Sequence, residues 1–264
     1  MKKYLVIGNP INHSLSPILH NHWIKQNHIN AIYEKKKLNK DEIEGLIIEI
    51  KKGNINGVNV TVPFKNSVIP YLDELSDEAK KTQSVNTIYL KNSKVIGHNT
   101  DISGFERAIK KINFNLNNKK IFILGAGGVV PSIIYTLIKM GSSEIFVSNR
   151  TKSKVEKLRD IFDNIQFVNW GDMPNFDVII NATSLGLHTD DKINLDFTKV
   201  GKDKLFYDVI YNPGETNFLN TGKELGNIIE NGKLMFIYQA FSAFKLWHGV
   251  EPIINNETIK LLEQ

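Results

Sequence analysis

The chain contains no cysteine. That excludes disulfides, thiolate zinc sites and a cysteine nucleophile, and it fits a reducing, cytoplasmic setting. Arginine is nearly as scarce: of the 33 basic residues only Arg107, Arg150 and Arg159 are arginine. Nucleic-acid surfaces favour clustered arginine interleaved with aromatics. The formal charge of +5 therefore reads as a solvated lysine surface with a modest field for anionic ligands, and no nucleic-acid partner is expected. No apolar run approaches the roughly 18 residues of a membrane helix, so no membrane partner is expected. The run after Met1-Lys2-Lys3 stops at Gly8-Asn9-Pro10, which marks a strand and not an export segment. No HExxH pattern is present, and His20 and His22, two apart on an expected helix, point to different faces. No metal site is expected.

What is present is a packed α/β chain. Its 264 residues, 41% hydrophobic and 23% charged, suggest two domains of ordinary size. The organising stretch is residues 121–130, where four apolar residues run into Gly125, Gly127 and Gly128. A continuous apolar run closed by glycines reads as a buried parallel strand and a tight turn. Residues 129–140 follow with helical spacing, end at Gly141, and lead to a second strand at 143–149. Strand, glycine turn, helix and strand make a dinucleotide-binding unit, in which backbone N–H groups approach a pyrophosphate at a helix N-terminus. The third fingerprint position, usually Gly or Ala, is Val130, followed by Pro131. This helix is expected to sit slightly further from its sheet.

The second strand ends in Asn149-Arg150-Thr151, where an NAD site usually carries an acid for the ribose hydroxyls. Arg150 can pair with a 2′-phosphate and stack on adenine, Asn149 and Thr151 can hydrogen-bond it, and Lys152 and Lys154 add charge. The pattern points to NADP. The alternative is Asn149 as a turn residue and Thr151 as a helix cap, and Thr151 can serve both purposes.

Before the glycine turn lie about 100 residues of α/β pattern. Strands are expected at 3–8, 32–38 and 57–62, helices through about 27 with Ser16 as N-cap and Pro17 in the first turn, and at 40–52 with Ile43, Leu46, Ile47 and Ile50 on one face. Residues 67–72 and 76–80 read as short helices, and 84–90 with 94–97 as a hairpin around Asn92-Ser93. A helix runs from about 102 to 112. After the turn, strands are expected near 166–168, 178–182, 205–209 and 234–236, then helices at 238–247 and 257–262. In 57–62, Asn59 and Thr61 share a face opposite the valines, and Lys65 lies just beyond. Ligands of open α/β sheets bind outside carboxyl strand ends; the alternative is an edge strand with a solvated lysine. Asn86-Thr87 and Asn99-Thr100-Asp101 are turn formers or readers of a hydroxylated substrate, and Asp101 pairs with Lys65 if their strand ends are neighbours.

In order, these segments resemble the shikimate dehydrogenase family along nearly the whole chain. Residues 8–21, with Ser14-Leu15-Ser16-Pro17 at their centre, resemble its N-terminal substrate signature, and the likeness implies that Ser14 and Ser16 hold the substrate carboxylate. Residues 59–65 resemble the segment of the catalytic lysine, here Lys65, and Val85-Asn86-Thr87 with Asn99-Thr100-Asp101 resemble those of the substrate asparagine and the partner aspartate. Gly125-Ala126-Gly127-Gly128 with Val129, and Asn149-Arg150-Thr151 with Lys154, resemble its NADP turn and 2′-phosphate site. Residues 181–186, 208–213 and 232–240 complete the series, implying Thr183, Val209 and Gly232 along the cofactor and Tyr211 and Gln239 on the substrate. Asn59 and Thr61 join the implied substrate set. Gln83-Ser84, where Gly-Ala is usual, and Val130 depart from the pattern without replacing a catalytic group.

The resemblance implies reversible NADPH-dependent reduction of 3-dehydroshikimate to shikimate in aromatic amino acid biosynthesis, with Lys65 and Asp101 assisting proton transfer. It implies an α/β substrate domain (1–101), a Rossmann-like NADP domain with a parallel sheet (102–236), and C-terminal helices (237–264) packing back on the first domain. The active site is then expected in the cleft between the domains, where closure excludes water. The rival readings are a broader quinate/shikimate dehydrogenase using NAD and a nucleotide-sensing binding protein without turnover.

Overall fold

Short apolar runs bounded by glycine and asparagine set the strands of a mixed sheet in the first hundred residues. The computed structural model describes residues 1–263. In chain order the elements are β1 (Lys2–Gly8), α1 (Ser16–Gln26), β2 (Ala31–Lys37), α2 (Ile43–Lys51), β3 (Gly57–Val60), β4 (Glu74–Leu75), α3 (Asp77–Thr82), β5 (Thr87–Lys91), β6 (Lys94–His98) and α4 (Asp101–Lys111). The sheet order is β2-β1-β3-β5-β6-β4. Strand β1 pairs in parallel with β2 and β3, whereas β5 runs antiparallel to β3 and β6. The β5–β6 turn uses Asn92 and Ser93 at φ 50° and 62°, the conformation a two-residue hairpin of this hand requires.

Several local expectations are corrected. Ser16 is the first residue of α1; the N-cap is Leu15, which makes no side-chain cap bond, and the Ser16 amide donates to Ser14 Oγ at 3.3 Å. The third strand ends at Val60, short of residue 62, and Val62 is 58% exposed. Strand β3 is not an edge strand: it lies between β1 and β5 and all four of its residues are buried. Residues 40–42 form a separate 3₁₀ turn before α2, whose Ile43, Leu46, Ile47 and Ile50 are buried. They pack with Leu5, Ile7, Val58, Val60 and Ile88 as one core layer, as an i, i+3, i+4, i+7 stripe against a sheet face must.

The second sheet comprises β7 (Lys120–Leu124), β8 (Glu144–Ser148), β9 (Ile165–Val168), β10 (Val178–Asn181), β11 (Leu205–Asp208) and β12 (Ile228–Glu230), in the order β12-β11-β10-β7-β8-β9. Every pairing is parallel. This is the doubly wound order, whose direction of winding reverses between β7 and β10. Helices α5 (Val130–Lys139), α6 (Lys152–Arg159) and α7 (Asn217–Glu224) follow β7, β8 and β11, while β9, β10 and β11 succeed one another through loops. Phe122, Leu124, Phe176, Ile179, Phe206, Phe218 and Leu219 fill one side of the sheet.

Residues 234–236, expected as a strand, instead form the first turns of α8 (Lys233–His248), which is followed by α9 (Asn256–Lys260). The strand beside β11 is β12, only three residues long. A run as short as Leu234-Met235-Phe236 does not distinguish strand from buried helix. Here the Phe236 amide donates to Gly232 O at 2.9 Å, closing a helical turn.

The chain divides into two compact units, Met1–Gly104 with the segment from Ile237 onward, and Phe105–Phe236. Within the first unit, Trp247 Nε1 donates to Ile88 O at 3.2 Å, and Trp23 Nε1 donates to Ile253 O at 3.1 Å. Gly57 makes room for the former: a Cβ there would lie 2.5 Å from Trp247 Nε1.

Candidate functional site

In the first unit the polar residues at the carboxyl ends of β1 and β3 meet those flanking β5 and β6. Lys65 lies past the cis Val62–Pro63 bond and Asp101 opens α4, both buried. Lys65 Nζ is 2.5 Å from Asp101 Oδ2, and Asn86 Nδ2 donates to Asp101 Oδ1 at 2.8 Å. The Asn86 amide cannot turn over freely. Its Oδ1 accepts from the Thr100 amide at 2.7 Å and from Thr87 Oγ1 at 3.0 Å, so its NH₂ must face Asp101. Gln239, on α8, stands with Oε1 3.5 Å from the same Asn86 Nδ2.

Asn59 extends the network. Its Nδ2 donates to Asn86 O and Thr87 Oγ1, each at 3.1 Å, and its Oδ1 accepts from Tyr33 OH at 2.7 Å. Tyr33 is buried, stacked on His20 at 4.2 Å, and hydrogen-bonded to the Ser16 hydroxyl. Burial holds its pKa well above the ordinary value, so it remains a donor. A continuous polar chain thus runs from Ser16 through Tyr33, Asn59 and Asn86 to Asp101 and Lys65. Thr61 is half-buried against Gly8, where a Cβ would meet Thr61 Cγ2 at 2.6 Å. Ser14 is half-buried beside Ser16.

In the second unit the glycine turn follows β7 at the point where the winding reverses. Gly125 has φ 107°, and a Cβ there would lie 2.7 Å from Ala182 O, so only glycine fits. At Gly127, by contrast, a Cβ would find nothing closer than Ala182 O at 4.0 Å. That leaves backbone open to a ligand before α5, where Ala126, Gly128 and Val129 complete the turn. Val130 is buried in the first turn of α5. At the end of β8, Asn149 Nδ2 donates to Thr151 O at 2.9 Å. Thr151 occupies the N-cap of α6 but makes no side-chain cap bond. Arg150, Thr151, Lys152 and Lys154 are exposed, and no carboxylate lies among residues 149–155. These groups fit an anionic dinucleotide with an added ribose phosphate better than one with free ribose hydroxyls.

Thr183 follows β10, with its amide and hydroxyl bonded to Asn181 Oδ1 at 3.1 and 2.7 Å. Val209 follows β11, and its carbonyl leaves no space for a Cβ on Gly232, which would approach to 2.1 Å. Tyr211 stacks on Phe236 at 4.5 Å.

Comparison with known proteins decides the family. A model of the shikimate dehydrogenase substrate binding domain matches residues 6–88, and one of shikimate/quinate 5-dehydrogenase matches residues 106–209. A shikimate dehydrogenase (NADP(+)) of Pelagibacter ubique is 56% identical over 262 residues, 99% of each chain. The chain belongs to the shikimate dehydrogenase family. Its fold resembles the crystal structure of shikimate dehydrogenase from Aquifex aeolicus, with a TM-score of 0.91, 36% identity and 100% and 98% coverage. It also resembles the Thermus thermophilus enzyme in complex with NADP(H) and shikimate, with a TM-score of 0.89, 28% identity and 100% and 99% coverage. No helix among the described residues is long and apolar enough to cross a membrane.

The structure also gives partners to side chains for which the sequence analysis named none. Tyr33 is the buried residue of β2, whose four-residue lysine-rich end is exposed. The signal available was a lone aromatic in a charged strand, and it names no partner. Thr87 and Thr100 act by fixing the direction of the asparagine amides. Asp208 is fully buried at the end of β11, and burial raises its pKa to about 6 against three hydrogen-bonding groups. His20 is buried, and burial with the His248 charge lowers its pKa to about 3.

Proposed function

We propose that the protein catalyses the reversible NADPH-dependent reduction of 3-dehydroshikimate to shikimate, in the cytoplasm, as a step toward chorismate and the aromatic amino acids. The observation that carries the reading is the buried Lys65–Asp101 pair, 2.5 Å apart and oriented by Asn86, in a chain of this family. NADPH, when bound, supplies the hydride for the ring ketone.

The chain's own residues do the rest. As the ketone oxygen gains negative charge, the Lys65 ammonium stabilises it and can supply its proton. Asp101 aims Nζ and accepts a hydrogen bond from a ring hydroxyl. Ser14 and Ser16 bind the carboxylate, while Asn59, Thr61, Asn86, Tyr211 and Gln239 complete the substrate set. The fixed direction of the Asn86 and Asn59 amides supports this role, because a preorganised donor costs no reorientation on binding.

On the cofactor side, Gly125, Ala126, Gly127, Gly128 and Val129 take the pyrophosphate. Asn149, Arg150, Thr151 and Lys154 hold the 2′-phosphate, and Thr183, Val209 and Gly232 lie along the nicotinamide half. The domain roles follow: substrate on residues 1–101, NADP on 102–236, and the helices after 237 with the first domain.

The test is the appearance of NADPH absorbance when the purified protein is mixed with shikimate and NADP. Absence of turnover with the cofactor bound would favour a binding protein. A rate with NAD and quinate equal to that with NADP and shikimate would favour the broader dehydrogenase.

A further inference from the structure

Asp208 joins segments that the family motifs treat separately. Its Oδ1 accepts from the Ile210 amide at 3.0 Å, its Oδ2 accepts from the Thr216 hydroxyl at 2.7 Å, and Asn181 Nδ2 lies 3.1 Å from both oxygens. The same Asn181 Nδ2 donates to Leu185 O at 2.9 Å, while its Oδ1 accepts the amide and hydroxyl of Thr183. Ile210 O accepts the Gly232 amide at 3.0 Å, and Gly232 packs on the carbonyl of Val209. Thr216 is also the N-cap of α7, accepting from the Leu219 amide. One buried carboxylate therefore ties the loop after β10, the loop after β11, the start of α7 and, through Ile210, the turn before α8.

All the groups bonded to Asp208 are neutral donors: an amide N–H, a hydroxyl and an asparagine NH₂. A carboxylate offers acceptor sites on both oxygens, and a neutral amide offers one oxygen and turns two hydrogens toward donors. The network therefore requires an acid where packing alone would accept asparagine.

We propose that Asp208 is a positioning residue that holds Thr183, Val209 and Gly232 as one preformed cradle for the nicotinamide half of the cofactor. It touches neither ligand; it acts through the backbone of these loops. The assignment rests on the proposed function, which places the cofactor at Thr183, Val209 and Gly232. Its energetic basis is independent of that reading, because the buried charge-assisted network adds to exposed ties between these loops, the bonds of Asn217 Nδ2 to Thr189 O and Asp191 O and of Asn231 Nδ2 to Gly214 O.

The experiment uses the full chain with Asp208→Asn, Thr216→Val and Thr216→Ser, and two readouts. NADPH titration followed by nucleotide fluorescence measures affinity, and amide hydrogen exchange on the cofactor-free protein measures the Ile210 and Thr183 amides. Asp208→Asn weakens NADPH binding about 10-fold or more, as loss of a hydrogen-bonded charge implies, and speeds exchange at both amides. Thr216→Val moves both readouts the same way by less, and Thr216→Ser, which keeps the donor, restores both. Wild-type affinity, or unchanged exchange, in a folded Asp208→Asn protein overturns the proposal. Should Asp208→Asn fail to fold, wild-type affinity in Thr216→Val overturns it. If the wild type itself does not bind NADPH, the proposed function fails, and the exchange readout still decides whether Asp208 orders the loops.

Discussion

Truncating Lys65 to alanine perturbs catalysis and stability through one residue. Asp101 is 5% exposed; it loses the ammonium at 2.5 Å and keeps Asn86 Nδ2 at 2.8 Å. Removing one partner of a buried ion pair costs about 3–5 kcal/mol, because the remaining charge is stranded. The retained Asn86 bond places this variant at the lower end of that range. For turnover, loss of general-acid and electrostatic help lowers kcat by about 10²–10⁴-fold, or about 3–5 kcal/mol of barrier at about 1.4 kcal/mol per decade. The two losses are of similar size and need a control. Lys65→Met with Asp101→Asn leaves no buried charge and keeps most of the volume. Its stability recovers toward wild type, as neutral replacements of buried pairs commonly do, while kcat stays low. Urea denaturation and steady-state rates with saturating shikimate and NADP read the two quantities. A Lys65→Ala protein with kcat within tenfold of wild type refutes the catalytic role, and so does a double variant that regains the rate.

Ser14→Ala raises KM for shikimate by about 10-fold or more, the scale of a hydrogen bond to a charged group, with kcat little changed; a fall in kcat alone would contradict the carboxylate assignment. Arg150→Ala lowers kcat/KM with NADP relative to NAD by about 10-fold, since a charge-assisted phosphate contact is lost and adenine stacking serves both cofactors; an unchanged ratio places the 2′-phosphate elsewhere. Gly125→Ala forces φ 107° on a residue whose Cβ would sit 2.7 Å from Ala182 O. It lowers stability by about 1–3 kcal/mol and weakens NADPH binding, both measurable by denaturant midpoint and titration. His20 has its pKa lowered from 6.5 to about 3. Below pH 6.5 the unfolded chain takes up a proton that the native state refuses, so this stability is present above pH 6.5 and lost as pH falls toward 3. Asp208 and Glu230, raised to about 6 and about 7, act oppositely, so their contribution falls as pH rises through that range. The difference between wild type and His20→Phe isolates the histidine: the variant loses several kcal/mol less between pH 6.5 and pH 4, at about 1.4 kcal/mol per pKa unit. Parallel urea curves at each pH check it, and identical slopes refute it.

Much of this architecture is carried by local chemistry. Residues 121–124 are apolar without interruption because their strand lies inside a parallel sheet, and Gly125 follows because the turn needs a positive φ. The stripe Ile43, Leu46, Ile47 and Ile50 could only be a helix face. Lys65, Asn86 and Asp101 were legible one by one as polar groups near strand ends, and the structure brings these three together. Less legible were short elements and polar partners. Ile228-Ile229-Glu230 and Leu234-Met235-Phe236 are both three-residue segments with an apolar start, and only pairing with β11 made the first a strand. Tyr33 sits in a charged strand, with nothing in its neighbours to point at Asn59, which is distant in the chain.

The amino-acid sequence by itself determined the family, the glycine turn after β7 and the basic, acid-free segment after β8, because those depend on residue type at fixed local spacing. Tertiary structure alone decided which polar groups meet: the Lys65–Asp101 contact, the one-way chain from Ser16 to Asn86, and the place of Asp208 beneath three loops. The physical reason is that hydrogen bonds are directional and short, so their partners are set by how strands are ordered in a sheet, which no local pattern encodes.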